Sequence, residues 1–230
     1  MKPPARTPRD VDLPEQVAAV IAAIETDIIR GRILPRTRLI EDHLMEDYDA
    51  KRHVVRAALA ELQRLGVVTK PRHRGAELPL FTAEELDDLY AMRMVLHRAA
   101  AQATPLPVQR ARLAEVTAAM KAHAAAARSG DLIRIHRENM AFHRLLFGLC
   151  DNPYLAESIR LHDWLSFPAR AYGAADPGAL AQACEEHEAM VRALRDQDRE
   201  TLEHLSVTHM DRARQLYVQK FLAGQLPRRR

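Results

Sequence analysis

Cysteine is scarce: Cys150 and Cys184 are the only two in 230 residues. That excludes a disulfide scaffold and suits a reducing cytoplasm. Glycine is scarce too. Eight in the whole chain leave little room for a phosphate loop or a glycine-rich dinucleotide turn, and neither motif occurs, nor does a nucleophile elbow or an H-E-x-x-H pair. Nowhere do about eighteen uncharged apolar residues run together, and the opening MKPPARTPRD lacks the apolar core of a signal peptide. Membrane spanning and export are therefore not expected. What is present is 47% apolar residues over a length that suits two ordinary domains.

The net charge of +3 hides a local concentration. Between Lys51 and Gly75, seven basic residues (Lys51, Arg52, Arg56, Arg64, Lys70, Arg72, Arg74) stand against Glu61 alone, a local net of +6. A polyanionic partner requires such a patch, because neutralising phosphates supplies the sequence-independent part of nucleic-acid binding. The same stretch has an architecture. Leu39, Leu44 and Tyr48 space a short helix, Val55, Leu59, Leu62 and Leu65 a longer one, and Asp49-Ala50 is the tight turn between them. Two helices joined so briefly predict a helix-turn-helix whose second helix offers Lys51, Arg52, His53 and Arg56 to a major groove. Gly66 ends that helix. Val67 to Lys70 and Ala76 to Leu78 then flank Arg72-His73-Arg74-Gly75 as a two-stranded cationic wing.

Upstream, residues 1–12 are proline-rich and charged and read as a disordered arm. Val17, Val20, Ile21, Ile24, Ile28 and Ile29 make Leu13 to Arg30 an amphipathic helix, followed by Arg30, Arg32, Arg36 and Arg38 within reach of a phosphate backbone. Residues 13–79 form the expected DNA-binding domain. From residue 80 to 224 everything reads as helix, starting with a Thr82/Glu85 capping box and continuing through Thr82–Ala103, Pro107–Arg128, Asp131–Cys150, Tyr154–Ala171, Gly178–Gln197 and Arg199–Ala223. Residues 225–230 are a basic tail. The fold class is thus mainly α: an N-terminal winged helix-turn-helix and a C-terminal all-α antiparallel bundle.

The second domain carries its chemistry in histidines. Asn139 and His143 lie four residues apart on one helical face, as paired metal ligands do, and an antiparallel bundle can set His187 and His209 opposite them. His136 shares that stripe. Three imidazoles around a metal also describe a hydrolase, with Glu138 or Glu186 nominated as base, and an all-helical interaction module with a basic end is a third possibility.

The residues also carry a resemblance. Leu44 to Leu59 is similar to the recognition-helix signature L-A-x-x-L-G-V-S-R-T-P-V-R-E-A-L of the GntR family of bacterial transcription regulators. Arg52, Val55, Arg56, Ala58 and Leu59 agree, as do Gly31-Arg32-Ile33-Leu34-Pro35, Gly66-Val67-Val68 and Arg74-Gly75. Lys51, His53, Val54 and Ala57 depart from the usual Ser, Thr, Pro and Glu, and His53 offers a groove a different donor and acceptor set. The helical half resembles the FCD effector domain of the FadR branch. Its D-x-x-F-H segment appears as Asn139-Met140-Ala141-Phe142-His143, followed by Asn152 and Leu155, its E-H-x-x-[ILM] as Glu186 to Met190, and its last-helix histidine as His209.

The resemblance implies a homodimeric repressor, not an enzyme, that binds a palindromic duplex operator. It implies a divalent metal, zinc foremost with nickel or manganese as alternatives, on Asn139, His143, His187 and His209. It also implies a small organic acid as effector, near Arg93, His97, Asn139 and Asn152. Asn139 stands where the family has Asp, and His97 where it has Glu, so two acids are missing and an anion is favoured. Arg93 offers a planar fork for a carboxylate.

Overall fold

The computed structural model describes residues 13–71 and 75–223. In the first domain, α1 (Glu15–Ile29) leads to a two-residue strand β1 (Arg38–Leu39), then α2 (Glu41–Asp47) and α3 (Arg52–Arg64), and β2 (Ala76–Glu77) closes the unit. The apolar stripe of α1 is buried: Ile24 and Ile28 meet Val55 and Leu62 of α3, and Val67 and Leu78 fill the same core. The α2–α3 turn is tight enough to put Asp49 at φ 46°, and the Tyr48 hydroxyl donates to Asp27 across to α1 at 2.9 Å.

The wing differs from its expected form. Strand β2 pairs antiparallel with β1, Arg38 opposite Glu77 and Leu39 opposite Ala76, while the Val67–Lys70 arm contributes only the bridge Thr69–Glu77. The reason is the end of α3: Val67 and Val68, buried in the core, spend their N–H groups on the Leu62 carbonyl at 2.9 and 3.3 Å, so pairing with β2 begins only at Thr69. A strand of two residues has no alternation to detect, and β1 left no trace in the sequence pattern. The expected arm 1–12, the wing-tip residues Arg72, His73 and Arg74, and the tail 225–230 lie outside the described residues.

The second domain runs α4 (Ala83–Ala103), α5 (Arg110–Ser129), α6 (Leu132–Gly148), α7 (Pro153–Leu165), α8 (Phe167–Arg170), a 3₁₀ turn (Ala171–Ala175), α9 (Pro177–Asp196), α10 (Arg199–Thr208), α11 (Asp211–Tyr217) and a π-helical turn (Val218–Leu222). Its starts are capped by side chains. The Thr82/Glu85 box is formed in both directions, and Asp131, Asn152, Asp176 and Asp198 each accept from backbone N–H groups of α6, α7, α9 and α10.

Two expected helices are broken. Tyr154–Ala171 stops at Leu165 and restarts at Phe167, since Pro168 has no N–H to continue the ladder. Arg199–Ala223 breaks after Thr208, where the His97 imidazole binds the Ser206 carbonyl at 3.2 Å. Both breaks place site residues, as described below.

The domains are packed into each other. Phe167 and Ala171 are buried in the core of the first domain, with Leu132, Ile133 and Trp164 against it. Gly66, at φ 76°, lies so close to Leu165 that a Cβ there would run into that side chain.

Candidate functional site

On the first domain, Lys51, Arg52, His53 and Arg56 all stand exposed at the start of α3. Two are already held. Arg52 donates to Asp42 at 2.6 Å and to Glu41 at 3.4 Å, and Arg56 Nε donates to Glu41 at 2.8 Å. These exposed pairs contribute little stability, but they fan both guanidinium groups along one face. Arg38 is exposed on β1 and, with Arg56, Lys70 and Gly75, lines a groove of about 530 Å³ between the strand, the helix and the base of the wing. Gly75 takes φ 75°, a left-handed position that suits the glycine there.

In the second domain three imidazoles converge. His209 Nε2 is 3.2 Å from His143 Nε2 and 3.2 Å from His187 Nε2, and the three ligand atoms lie within 4.8 Å of one another. A tetrahedral ion bound at about 2.0–2.1 Å sets its ligands about 3.3 Å apart, so the two separations to His209 are those of ligands on one ion. The protonation chemistry fits as well. Burial above all, and then the neighbouring His209, hold His143 and His187 well below the ordinary histidine range, which leaves neutral rings with lone pairs to give. His209 is oriented from behind: its Nδ1 lies 2.5 Å from Glu186 Oε2, and Gln182 donates to the other oxygen at 2.7 Å. Burial would raise the Glu186 carboxyl, but these hydrogen bonds from His209 and Gln182 outweigh it and hold the group below its usual value. A carboxylate on Nδ1 leaves the Nε2 lone pair free for an ion, the arrangement found behind many metal histidines.

A cavity of about 110 Å³ opens beside the imidazoles, lined by Arg93, His97, His136, Asn139, Asp163, Arg170 and others. Asn139, one turn before His143, is on its wall. Arg93 is buried and donates from Nη2 to Asp163 at 2.9 Å, while Arg170 donates Nε and Nη2 to the Asp163 carbonyl at 3.3 and 3.2 Å. Arg93 thus meets the Asp163 carboxylate and Arg170 that residue's backbone carbonyl, which sets two guanidinium groups on the cavity wall. Among the described residues, buried Arg93 Nε and His97 Nε2 have no hydrogen-bond partner. His97 spends its Nδ1 on Ser206 and packs on Phe147 with ring centres 4.3 Å apart. His136 packs against Phe167, and burial drives it down to about 3.

One expected effector residue is elsewhere. Asn152 is exposed and spends its side-chain oxygen on Tyr154 N and Leu155 N, both at 3.1 Å; it is the cap of α7, and it does not line the cavity. Three residues that sequence reasoning passed over are central. Arg170 and Asp163 sit at the α7–α8 break, which no periodicity announces. His123, on α5, lies with its Nδ1 3.1 Å from His187 Nδ1, and burial pushes it down to about 4. No spacing signal connects residues 64 apart.

The model of the family described as bacterial regulatory proteins, gntR family, matches residues 16–78, and that of the FCD domain matches residues 88–212. Among solved structures the chain is similar to E. coli McbR/YncC, with a TM-score of 0.74 at 21% identity over 91% of this chain and all of that one. It is also similar to a putative transcriptional regulator GntR from Rhodococcus sp. RHA1, with a TM-score of 0.69 at 21% identity over 90% of this chain and all of that one. At these identities the likeness is one of fold. No curated protein matches the chain.

Proposed function

The chain belongs to the gntR family of bacterial regulatory proteins with an FCD effector-binding domain as its second half; it is a DNA-binding transcription regulator and not an enzyme, and from that premise we propose that a small carboxylate, bound beside a divalent metal, sets its hold on DNA. The observation that carries this is the meeting of three imidazoles, two Nε2 pairs of them 3.2 Å apart, with a cavity whose wall presents the Arg93 and Arg170 guanidinium groups. His143, His187 and His209 would hold the ion, with Asn139, on the cavity wall, a candidate for a fourth ligand. When bound, zinc, nickel or manganese supplies positive charge and an open position for a carboxylate oxygen. The chain's own part is to orient His209 through Glu186, keep the imidazoles neutral and present Arg93 to the anion. Glu186 is committed to His209, and Glu138 is not on the cavity wall, so the hydrolase alternative finds no base.

The heads would act as a repressor dimer on a palindromic operator in the cytoplasm, each α3 in a major groove one helical turn from the other. Coupling has a physical route. Asp163 and Arg170 line the cavity, while Trp164, Phe167 and Ala171, on the same short segment, are packed in the core of the head. A ligand that prefers one placement of this segment shifts the heads by that preference and no more.

Metal analysis of purified, unchelated protein beside His143→Ala, with a thermal-shift screen of small carboxylic acids on both, tests the reading. About one metal per chain is expected, lost in the variant together with the acid-induced shift. An acid-induced shift that survives the mutation, with no metal in either protein, would remove the metal from the account.

A further inference from the structure

Next to the small cavity lies a larger one, about 480 Å³, shared by no step described so far. His136, Met140, His143, Asp163 and Arg170 line both, so the two are neighbours across one wall of side chains. The larger is built from different material. Buried Phe147 and Ile159 and the ring of Trp164 line it, and Glu25, from α1 of the DNA-binding head, reaches its edge. Arg137 and Arg144, exposed two turns apart on α6, also border it. Small-molecule sites typically occupy about 300–1,000 Å³. The 110 Å³ beside the histidines falls short of that and takes a head group, whereas the larger compartment accepts a body.

We propose that the two cavities form one ligand site, and that the effector is a monocarboxylic acid with an aromatic or branched apolar body. Its carboxylate lies on the histidine side, and its body lies against Phe147, Ile159 and Trp164, within reach of Glu25. The proposal rests on the carboxylate reading above and narrows it. Glu157 and Arg160 also line the compartment but pair with each other at 2.5 and 2.7 Å, so the hydroxyls of a sugar acid or hydroxy-diacid would have to compete for polar groups already engaged, which penalises it. An apolar body is favoured there because it covers Phe147, Ile159 and Trp164, and Arg137 and Arg144 attract the anion on approach. Because α1 and α6 border the same compartment, a ligand that fills it touches both domains at once.

Trp164 is the chain's only tryptophan, and it lines the larger cavity but not the smaller. Zinc-loaded protein titrated with propionate and with 4-phenylbutyrate, followed by Trp164 emission and by thermal shift, separates the possibilities. The aryl acid is expected to move the emission saturably and to bind at least tenfold more tightly than propionate, since each two methylenes buried contribute about tenfold. Ala156→Phe, which fills the compartment, should abolish that advantage and leave the propionate shift in place; Ala141→Leu serves the same purpose if the first variant does not fold. Equal affinities with silent Trp164 would overturn the proposal and leave the carboxylate reading intact. Emission that follows protein concentration and ignores both acids would mean that a second copy covers the compartment, which overturns it as well. If neither acid binds by either readout, the carboxylate reading fails and takes the proposal with it.

Discussion

At the scale of single residues, the site depends on which nitrogen each histidine leaves free. Glu186 holds His209 by Nδ1, so Glu186→Gln is expected to lower zinc affinity about 10–100-fold without unfolding the bundle; calorimetric titration of zinc into the chelator-stripped protein measures it, and an unchanged affinity would make Glu186 a bystander. On the DNA side, Arg52→Ala should weaken specific binding by about 1–3 kcal/mol if Arg52 reads a base, and equal losses on selected and random duplex would deny it that role. These residues were legible for opposite reasons. Arg52 and Arg56 stand out because a helix stripe and a charge run coincide in one short window. His143, His187 and His209 stand out through their resemblance to a known pattern, since spacing by itself offers many such triples. His123, Asp163 and Arg170 gave no local signal: His123 and Asp163 act through partners 64 and 70 residues away, and Arg170 acts through the backbone carbonyl of Asp163.

Elements were readable where their own ends carry the information. Thr82 and Glu85 specify the start of α4 within four residues, and the box is formed as read. Asn152 shows the limit of such reading: family likeness points to the effector, but its geometry is that of a cap. Asn152→Ala is therefore expected to cost about 1 kcal/mol of stability in urea unfolding and to leave acid binding unchanged; a lost acid-induced shift at full stability would return it to the ligand site. The junction of α3 with the wing is similarly constrained. Gly66→Ala should destabilise by about 1–3 kcal/mol, since an L residue is strained at φ 76° and its Cβ presses on Leu165. Strand β1 escaped the sequence because two residues show no alternation, and the α7–α8 break, though Pro168 marks it, matters through what periodicity does not give, the entry of Phe167 into the core of the other domain.

For the whole molecule, the contact between head and bundle is what would make a switch of two recognisable domains. Glu25 reports on it. Burial pushes its carboxyl up to about 7, against the pull of Arg137 and Arg170. An acid with a raised folded-state value binds its proton more tightly folded than unfolded, so it takes stability away as pH rises from about 4.5 to 7. Glu25→Gln should accordingly gain stability over the wild type on going from pH 5 to pH 8, by roughly 2–3 kcal/mol, and a pH-independent difference would mean that the carboxyl is solvated. Among the described residues no helix is long and apolar enough to cross a membrane, and the two domains account for the fold. The measurement that reaches the central claim most directly is the affinity of metal-loaded protein for a duplex selected from random sequence, with and without a bound acid, in the wild type and in His143→Ala. The account expects the acid to change the wild-type affinity at least about fivefold and to leave the variant's unchanged. The same change in both proteins, or none in the wild type while the acid is bound, would contradict it.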